Sequence, residues 1–167
     1  MELNDIRIEW LNDPQLIDSL VELFLAGSKG NYISHSELQE GRAVAPDAWA
    51  PNLPDILRAE FDEVIRSSLY RGANAALVYS DDRLAGYALI EYSEDGKYAT
   101  LSDIVIHPEV RNMRLGRRLA YWVLDQLKAA GIREVYAESN IHNEGAHNFM
   151  QRLGFETISR VFRLSLE

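Results

Sequence analysis

Arg111, Arg114, Arg117 and Arg118 crowd around Gly116, with no carboxylate between Glu109 and Asp125, at the point where a helix should begin. A helix amino terminus already carries roughly +0.5 charge from its unpaired N–H groups, so basic side chains there weaken the helix unless an anion sits among them. The economical reading is an anion site, in which backbone N–H groups, the helix dipole and guanidinium forks converge on a phosphate-bearing ligand.

The flanking elements suit such a loop. Tyr98 to His107 (YATLSDIVIH) is rich in β-branched and apolar residues and reads as a mostly buried strand, which Pro108 ends by withholding a ladder donor. From Leu115, the residues Leu119, Trp122, Val123, Leu127 and Ala130 recur at helical spacing, and Gly131 is placed to cap the carboxyl end. Arg133 to Ser139 then suits another strand. The unit is strand, phosphate loop, helix, strand, and a helical crossover of this kind needs a parallel neighbour.

Upstream, Asp5 to Trp10 alternates as a strand, and Asn12-Asp13-Pro14 supplies an N-cap and an early-helix proline for a helix that ends near Gly27. Gly30 to Pro54 is irregular, with a short helix near Ser36 to Glu40; a longer helix is expected from Pro54 to Tyr70. Ala75 to Tyr79, Arg83 to Tyr92 and Tyr98 to His107 form a meander joined by tight turns. Asn143 to Leu153 reads as a helix closed by Gly154, and Phe155 to Leu166 as one or two final strands. The fold class is α/β (α+β), a mixed, mainly antiparallel central sheet with helices on its faces, in one domain over residues 1–167.

The net charge of -9 argues against general nucleic-acid or anionic-membrane binding and favours cationic partners or amines. The string RNMRLGRR also lacks the aromatic residues that would stack on bases. Without cysteine there is neither a disulfide scaffold nor a thiolate metal site. His142 and His147 lie five apart, off the spacing that shares a helix face, so no metal is expected. The amino terminus lacks a signal-peptide pattern, and no apolar run approaches the ~20 residues that span a bilayer; a cytoplasmic protein is the expectation.

Two blocks carry a resemblance. IVIHPEVRNMRLGRRL is similar to a strand, Pro-Glu, Arg-x-x-Gly-x-Gly/Ala and helix, and Asn143-x-x-Ala146 followed by Arg152-x-Gly154-Phe155 is similar to an Asn-x-x-Ala and Gly-Phe block. In this order and separation they resemble the GNAT superfamily of acetyl-CoA-dependent N-acetyltransferases, most specifically from Leu101 to Phe155. The resemblance implies a GNAT-like fold with a cofactor-binding core over residues 98–155, and acetyl-CoA as cosubstrate. It implies that the backbone of Ile104, Val105 and Ile106 meets the pantetheine arm. Arg111, Asn112, Met113, Arg114, Leu115, Gly116 and Arg117 would wrap the pyrophosphate, and Asn143 would contact the cofactor arm. Glu138 falls where some members, notably ribosomal-protein and peptide amino-terminal acetylases, carry a catalytic base.

Three positions depart from the family pattern. Arg114 and Asn112 stand where glycines are usual, which implies weaker or altered cofactor binding. Met150 takes the place of the tyrosine that protonates the departing thiolate in many members, and methionine cannot donate a proton. Tyr32, Tyr98, Tyr121 and Tyr136 are left unranked as substitutes.

The expected reaction is attack of a primary amine, from a small molecule or a peptide, on the thioester. Such an amine is mostly protonated near neutrality and needs help to lose its proton; Glu138 and Asp103 are the candidates. Residues 31–70 form the expected acceptor-side element, in which carboxylates outnumber Arg42, Arg58 and Arg66 and favour a cationic acceptor. The alternative reading is a catalytically weak acetyl-CoA-binding regulatory module, and a homodimer is one possible assembly.

Overall fold

The computed structural model describes residues 5–28 and 32–167, with Asn112 described by its backbone alone. Gly30 and Asn31, where the irregular segment and the acceptor-side element were expected to start, lie outside them.

The element order is β1 (Ile6–Trp10), α1 (Ile17–Gly27), α2 (His35–Glu40), β2 (Ala43–Ala45), β3 (Ala48–Trp49), α3 (Leu53–Arg66), β4 (Ala73–Ser80), β5 (Arg83–Tyr92), β6 (Tyr98–Ile106), α4 (Leu115–Ala129), β7 (Glu134–Ala137) and α5 (Glu144–Leu153). The main sheet has five strands in the order β1-β4-β5-β6-β7. All its pairs are antiparallel except β6 with β7, which the α4 crossover makes parallel. This is the mixed, mainly antiparallel sheet the sequence predicts. The Asp13 carboxylate accepts from the Gln15 N–H, and Pro14 opens the 3-10 turn that leads into α1.

Each face of the sheet carries its own apolar layer. On one, Leu20 and Phe24 of α1 and Leu57 and Phe61 of α3 pack over Leu77, Tyr87, Leu89 and Val105. On the other, Leu115, Leu119, Val123 and Leu127 of α4 cover Ala76, Val78, Ala88 and Ile90. A buried leucine contributes about 1.5–3 kcal/mol through transfer from water, so these two stripes fix α1, α3 and α4 against the sheet.

Three expectations are corrected. The helix expected from Pro54 to Tyr70 stops at Arg66, because Ser67 turns to extended backbone; past it Tyr70 has positive φ and donates its N–H to the Asn74 side chain, and Leu69 is exposed. The irregular segment contains a small β2–β3 hairpin that its sequence does not announce. The final strands are absent: residues 155–167 have no regular secondary structure, although Phe162, Leu164 and Leu166 alternate. A strand exists only with a ladder partner, and this segment has none among the described residues.

Candidate active site

The site begins at an irregularity in β6. Leu101 pairs with Ile90 but Asp103 pairs with Leu89, so Ser102 is an extra residue in the ladder. A bulge of this kind re-aims the side chains that follow it. Ala99 and Leu101 face α4, whereas Val105 joins the layer under α1 and α3 and Asp103 turns toward Arg42 on that same side. Asp103 is thereby drawn into a closed network. Arg42 donates from Nη1 and Nη2 to its two carboxylate oxygens, both at 3.1 Å, and the Tyr32 hydroxyl donates to Oδ1 at 3.0 Å. Arg42 also donates through Nε to both oxygens of Glu60, at 3.1 and 3.0 Å. Burial opposes the Arg42 charge, but Asp103 and Glu60 outweigh it and hold the guanidinium firmly protonated. Burial, reinforced by Asp103, pushes the Tyr32 phenol well above its usual range. This is not the placement expected of Asp103 as a proton acceptor for substrate: its side chain is 0% exposed and both oxygens are taken.

Beyond Leu101 the two parallel strands separate. The β6–β7 ladder runs from Tyr98↔Glu134 to Leu101↔Ala137 and ends there, while β6 continues to Ile106. The β7 side of Ile104, Val105 and Ile106 therefore carries no strand ladder among the described residues. Glu138 stands at the mouth of this split, immediately after β7. Its Oε1 lies 3.1 Å from the Ser34 hydroxyl, whose one proton it shares with the nearer Glu37 carboxylate at 2.6 Å, and its Oε2 lies 3.1 Å from His35 Nε2. About a third of the Glu138 side chain is solvent-exposed, so Glu138, unlike Asp103, is reachable. Ser34 and His35 are delivered by a capping box at the start of α2, in which the Glu37 carboxylate accepts from the Ser34 N–H at 2.7 Å.

The arginine loop lies past the far end of β6. A 3-10 turn over Pro108–Met113 leads to Arg114, which adopts φ 59° and serves as the N-cap of α4. The chain thus uses the left-handed geometry for which glycine is usual, at a cost of about 1–2 kcal/mol for a side chain. Arg114, Arg117 and Arg118 are exposed and form no ion pair with a carboxylate among the described residues; Arg117 sits over the Tyr121 ring, 5.4 Å from its centroid. Gly116, in the first turn of α4, lies beside Ile106 and Phe149, and a Cβ there would make ordinary contact with both, at 3.4 and 3.7 Å. Arg111 is engaged differently: its Nη2 donates to the Gly27 carbonyl at 2.8 Å, tying the end of α1 to the loop. Leu115 is fully buried and contributes packing, with its N–H at the helix mouth. Asn143 is the N-cap of α5, with Oδ1 accepting from the Ala146 N–H.

Carboxylates dominate the segment expected on the acceptor side. Glu40 faces Glu91, Glu60 and Glu37, with Arg42 as the opposing charge; partial burial first, and then these carboxylates, push its carboxyl up to about 7. Tyr32 and Trp49 pack on Phe24, at 5.7 and 5.4 Å between ring centroids, and are core rather than open mouth. Met150 packs against the α4 layer. Tyr98 and Tyr136 contact each other edge to face, and the Tyr136 hydroxyl donates to Glu134.

Some of this constellation escapes sequence reasoning. The Ser34-x-x-Glu37 capping box, which places Ser34 and His35 beside Glu138, was missed although its spacing is visible in the sequence. Arg42 gave no local signal, because its partners are 18 and 61 residues away. Asn140 was also missed: its side chain donates to the Ile33 carbonyl at 2.5 Å and ties the exit of β7 to the acceptor segment.

Residues 41–155 match the model of the acetyltransferase (GNAT) family. The [Ribosomal protein bS18]-alanine N-acetyltransferase of Salmonella typhimurium is 32% identical over 76 residues, 46% of this chain and 50% of that protein. The N-acetyltransferase ycf52 of Porphyra purpurea, itself uncharacterized, is 33% identical over 78 residues, 46% of this chain and 41% of that protein. The matches thus span half or less of these curated relatives. Among solved structures, the PaiA N-acetyltransferase of Thermoplasma acidophilum in complex with coenzyme A superposes with a TM-score of 0.74 at 17% identity, covering 94% of this chain and 93% of that one. AAC(6')-Iy in complex with a bisubstrate analogue of coenzyme A does so with a TM-score of 0.70 at 16% identity, covering 98% and 99%. With the family match over more than half its length, the chain belongs to the acetyltransferase (GNAT) family, whose cosubstrate is acetyl-CoA.

Proposed function

We propose that this chain acetylates a primary amine of a small, cationic molecule or of a peptide amino terminus, with Glu138 taking the amine proton. The observation that carries the reading is the split between β6 and β7, with an accessible carboxylate at its mouth and unpaired arginines at the helix start past the end of β6. The residues present fit the cosubstrate. The β6 edge from Ile104 to Ile106 would hold the pantetheine arm through its backbone, and the N–H groups of Leu115, Gly116 and Arg117 with the Arg114 and Arg117 side chains would hold the pyrophosphate. Bound acetyl-CoA supplies the acetyl group as a thioester. Asn143 would border the pantetheine arm from the start of α5.

Glu138 is held by Ser34 and His35, so its carboxylate is oriented rather than free to rotate, which suits a general base at a split strand edge. Asp103 acts one step back: with Arg42 and Glu60 it ties the turn between α2 and β2 to α3 and β6, beside the proposed acceptor space. The acceptor is read as cationic because Glu37, Glu60 and Glu91 cluster around Glu40, with Arg42 as the opposing charge. The relatives act on comparable groups by their names, a ribosomal-protein alanine and aminoglycosides.

A second reading, a weak acetyl-CoA-binding module, is favoured by one observation: Met150 is packed into the α4 layer and supplies no proton for the leaving thiolate. Following thiol release from acetyl-CoA with a panel of polyamines, aminoglycosides and peptides separates the two. Turnover that falls in Glu138→Gln supports the enzyme; tight binding with no turnover for any amine supports the module.

A further inference from the structure

Glu138 is placed by the segment that leads into α2. Asn140, two residues further on, donates to the carbonyl of the buried Ile33 at 2.5 Å, which anchors the exit of β7 to the residues just before α2. His35 Nε2 is thereby set 3.1 Å from Glu138 Oε2. The Ser34 hydroxyl lies equally near Oε1, but Glu37 Oε2 is closer to that hydroxyl, at 2.6 Å, and also accepts the Ser34 N–H. A hydroxyl has one proton, and the capping box claims it. His35 is therefore the donor committed to Glu138 among the described residues. Its side chain is 34% exposed and lines a cleft of about 450 Å³ between α2, β2 and the final segment, so the ring exchanges protons with water. The charged groups around it are Glu138 just beyond β7, Glu37 two residues on in α2, and Arg163, which lines the same cleft.

We propose that His35 is the positioning residue of the proton-accepting step: its neutral ring donates Nε2–H to Oε2 and leaves Oε1 to take the amine proton, and protonation of the ring turns the pair off. This rests on acetyl transfer with Glu138 as the base. A carboxylate beside Nε2 selects the tautomer that carries its hydrogen there, since only a donor fits an ionised acceptor. The neutral ring orients the carboxylate without adding charge. An imidazolium in the same place puts a full positive charge 3.1 Å from Oε2, which stabilises the ionised carboxylate and makes it a weaker proton acceptor. A proton taken on Oε1 also has an acceptor to point at: Ser34 Oγ, having given its own hydrogen to Glu37, offers a lone pair 3.1 Å away. The pair thus works in one protonation state of the ring, and amine acetylation is confined to pH values at which that ring is neutral.

A double-mutant cycle on the full chain separates a residue that acts through Glu138 from one that merely supports the fold. The readout is acetylated product formed from acetyl-CoA and the fastest acceptor of the polyamine, aminoglycoside and peptide panel. His35→Ala should lower kcat by about 10²-fold in the parent and cause no further loss in Glu138→Gln. His35→Gln, which keeps an N–H donor but does not titrate, should recover most of that loss, and its rate relative to the parent should rise as pH falls. Equal losses in both backgrounds, or a relative rate that is flat with pH, overturn the proposal. Should His35→Ala fail to fold, the pH dependence of the His35→Gln ratio decides alone. Failure of the underlying reading looks different: no acceptor is acetylated at all, or Glu138→Gln turns over like the parent. A rate that collapses in Glu138→Gln and ignores His35 removes only the role given to His35.

Discussion

The two charged regions of this molecule treat their charges in opposite ways. On the acceptor side, Arg42 is surrounded: Asp103 and Glu60 take its donors, Tyr32 shares the Asp103 carboxylate, and the group is buried. At the α4 mouth, Arg114, Arg117 and Arg118 face solvent with no carboxylate partner among the described residues, in the one place where a helix dipole makes cations unwelcome. Charges neutralised from within hold the architecture, and charges left unanswered are available to a ligand. Glu138 falls between these extremes, contacted by two neighbours yet open to solvent, as the proton-accepting role proposed for it requires.

The comparison can be broken most severely at Arg42. Arg42→Met leaves Asp103 buried without its counter-charge, and should cost about 3–5 kcal/mol in denaturant unfolding, with the fold's cooperativity reduced. A variant as stable as the parent would mean that the network is not structural. Glu138→Gln should leave the melting temperature in place and lower kcat by about 10²–10⁴-fold at neutral pH. An unchanged rate across pH would remove the proton-accepting role from Glu138.

Smaller effects sharpen the contrast. Arg117→Ala should weaken coenzyme A binding by about 1.5–3 kcal/mol if the guanidinium meets phosphate directly, with little change in stability. Arg114→Gly should separate geometry from charge: relief of the left-handed backbone stabilises the fold by about 1–2 kcal/mol, while loss of the cation weakens binding. Tighter binding by that variant would show that backbone freedom, not charge, limits the loop.

A separate effect is a pH dependence at Glu40, discounted by solvent screening because the group is only partly buried. Its carboxyl is raised from 4.5 to about 7 in the folded chain, so the native state holds this proton more tightly than the unfolded state does. Its contribution should therefore make stability fall as pH rises from about 4.5 to about 7 and level off above that. Glu40→Gln should flatten that limb in a series of thermal melts. A cationic acceptor should also bind better above pH 7 than below it in the parent, and lose this preference in Glu40→Gln.

Much of the fold was legible because its signals are local. Arg83 to Tyr92 was read to the residue, the α4 stripe from Leu115 to Leu127 follows helical spacing, and Gly131 and Gly154 mark helix ends by their positive φ. What was illegible is non-local. Ala99, Leu101, Asp103 and Val105 alternate as though on one face, and nothing in that string reveals that Ser102 is a bulge that sends the last two to the other layer. The partnership of Arg42 with Asp103 follows from that reversal and was equally hidden. The final segment shows the same limit: the alternation of Phe162, Leu164 and Leu166 predicts a strand, but a strand needs a ladder partner, which no local signal reports.

The central claim is that the unpaired arginines at the α4 mouth and the open β6 edge together bind acetyl-CoA. Isothermal titration of the chain with coenzyme A tests it directly. The account predicts saturable one-to-one binding that weakens with added salt and is further weakened in the Arg114→Ala, Arg117→Ala double variant. No heat at millimolar coenzyme A, or binding indifferent to both arginines, would contradict it.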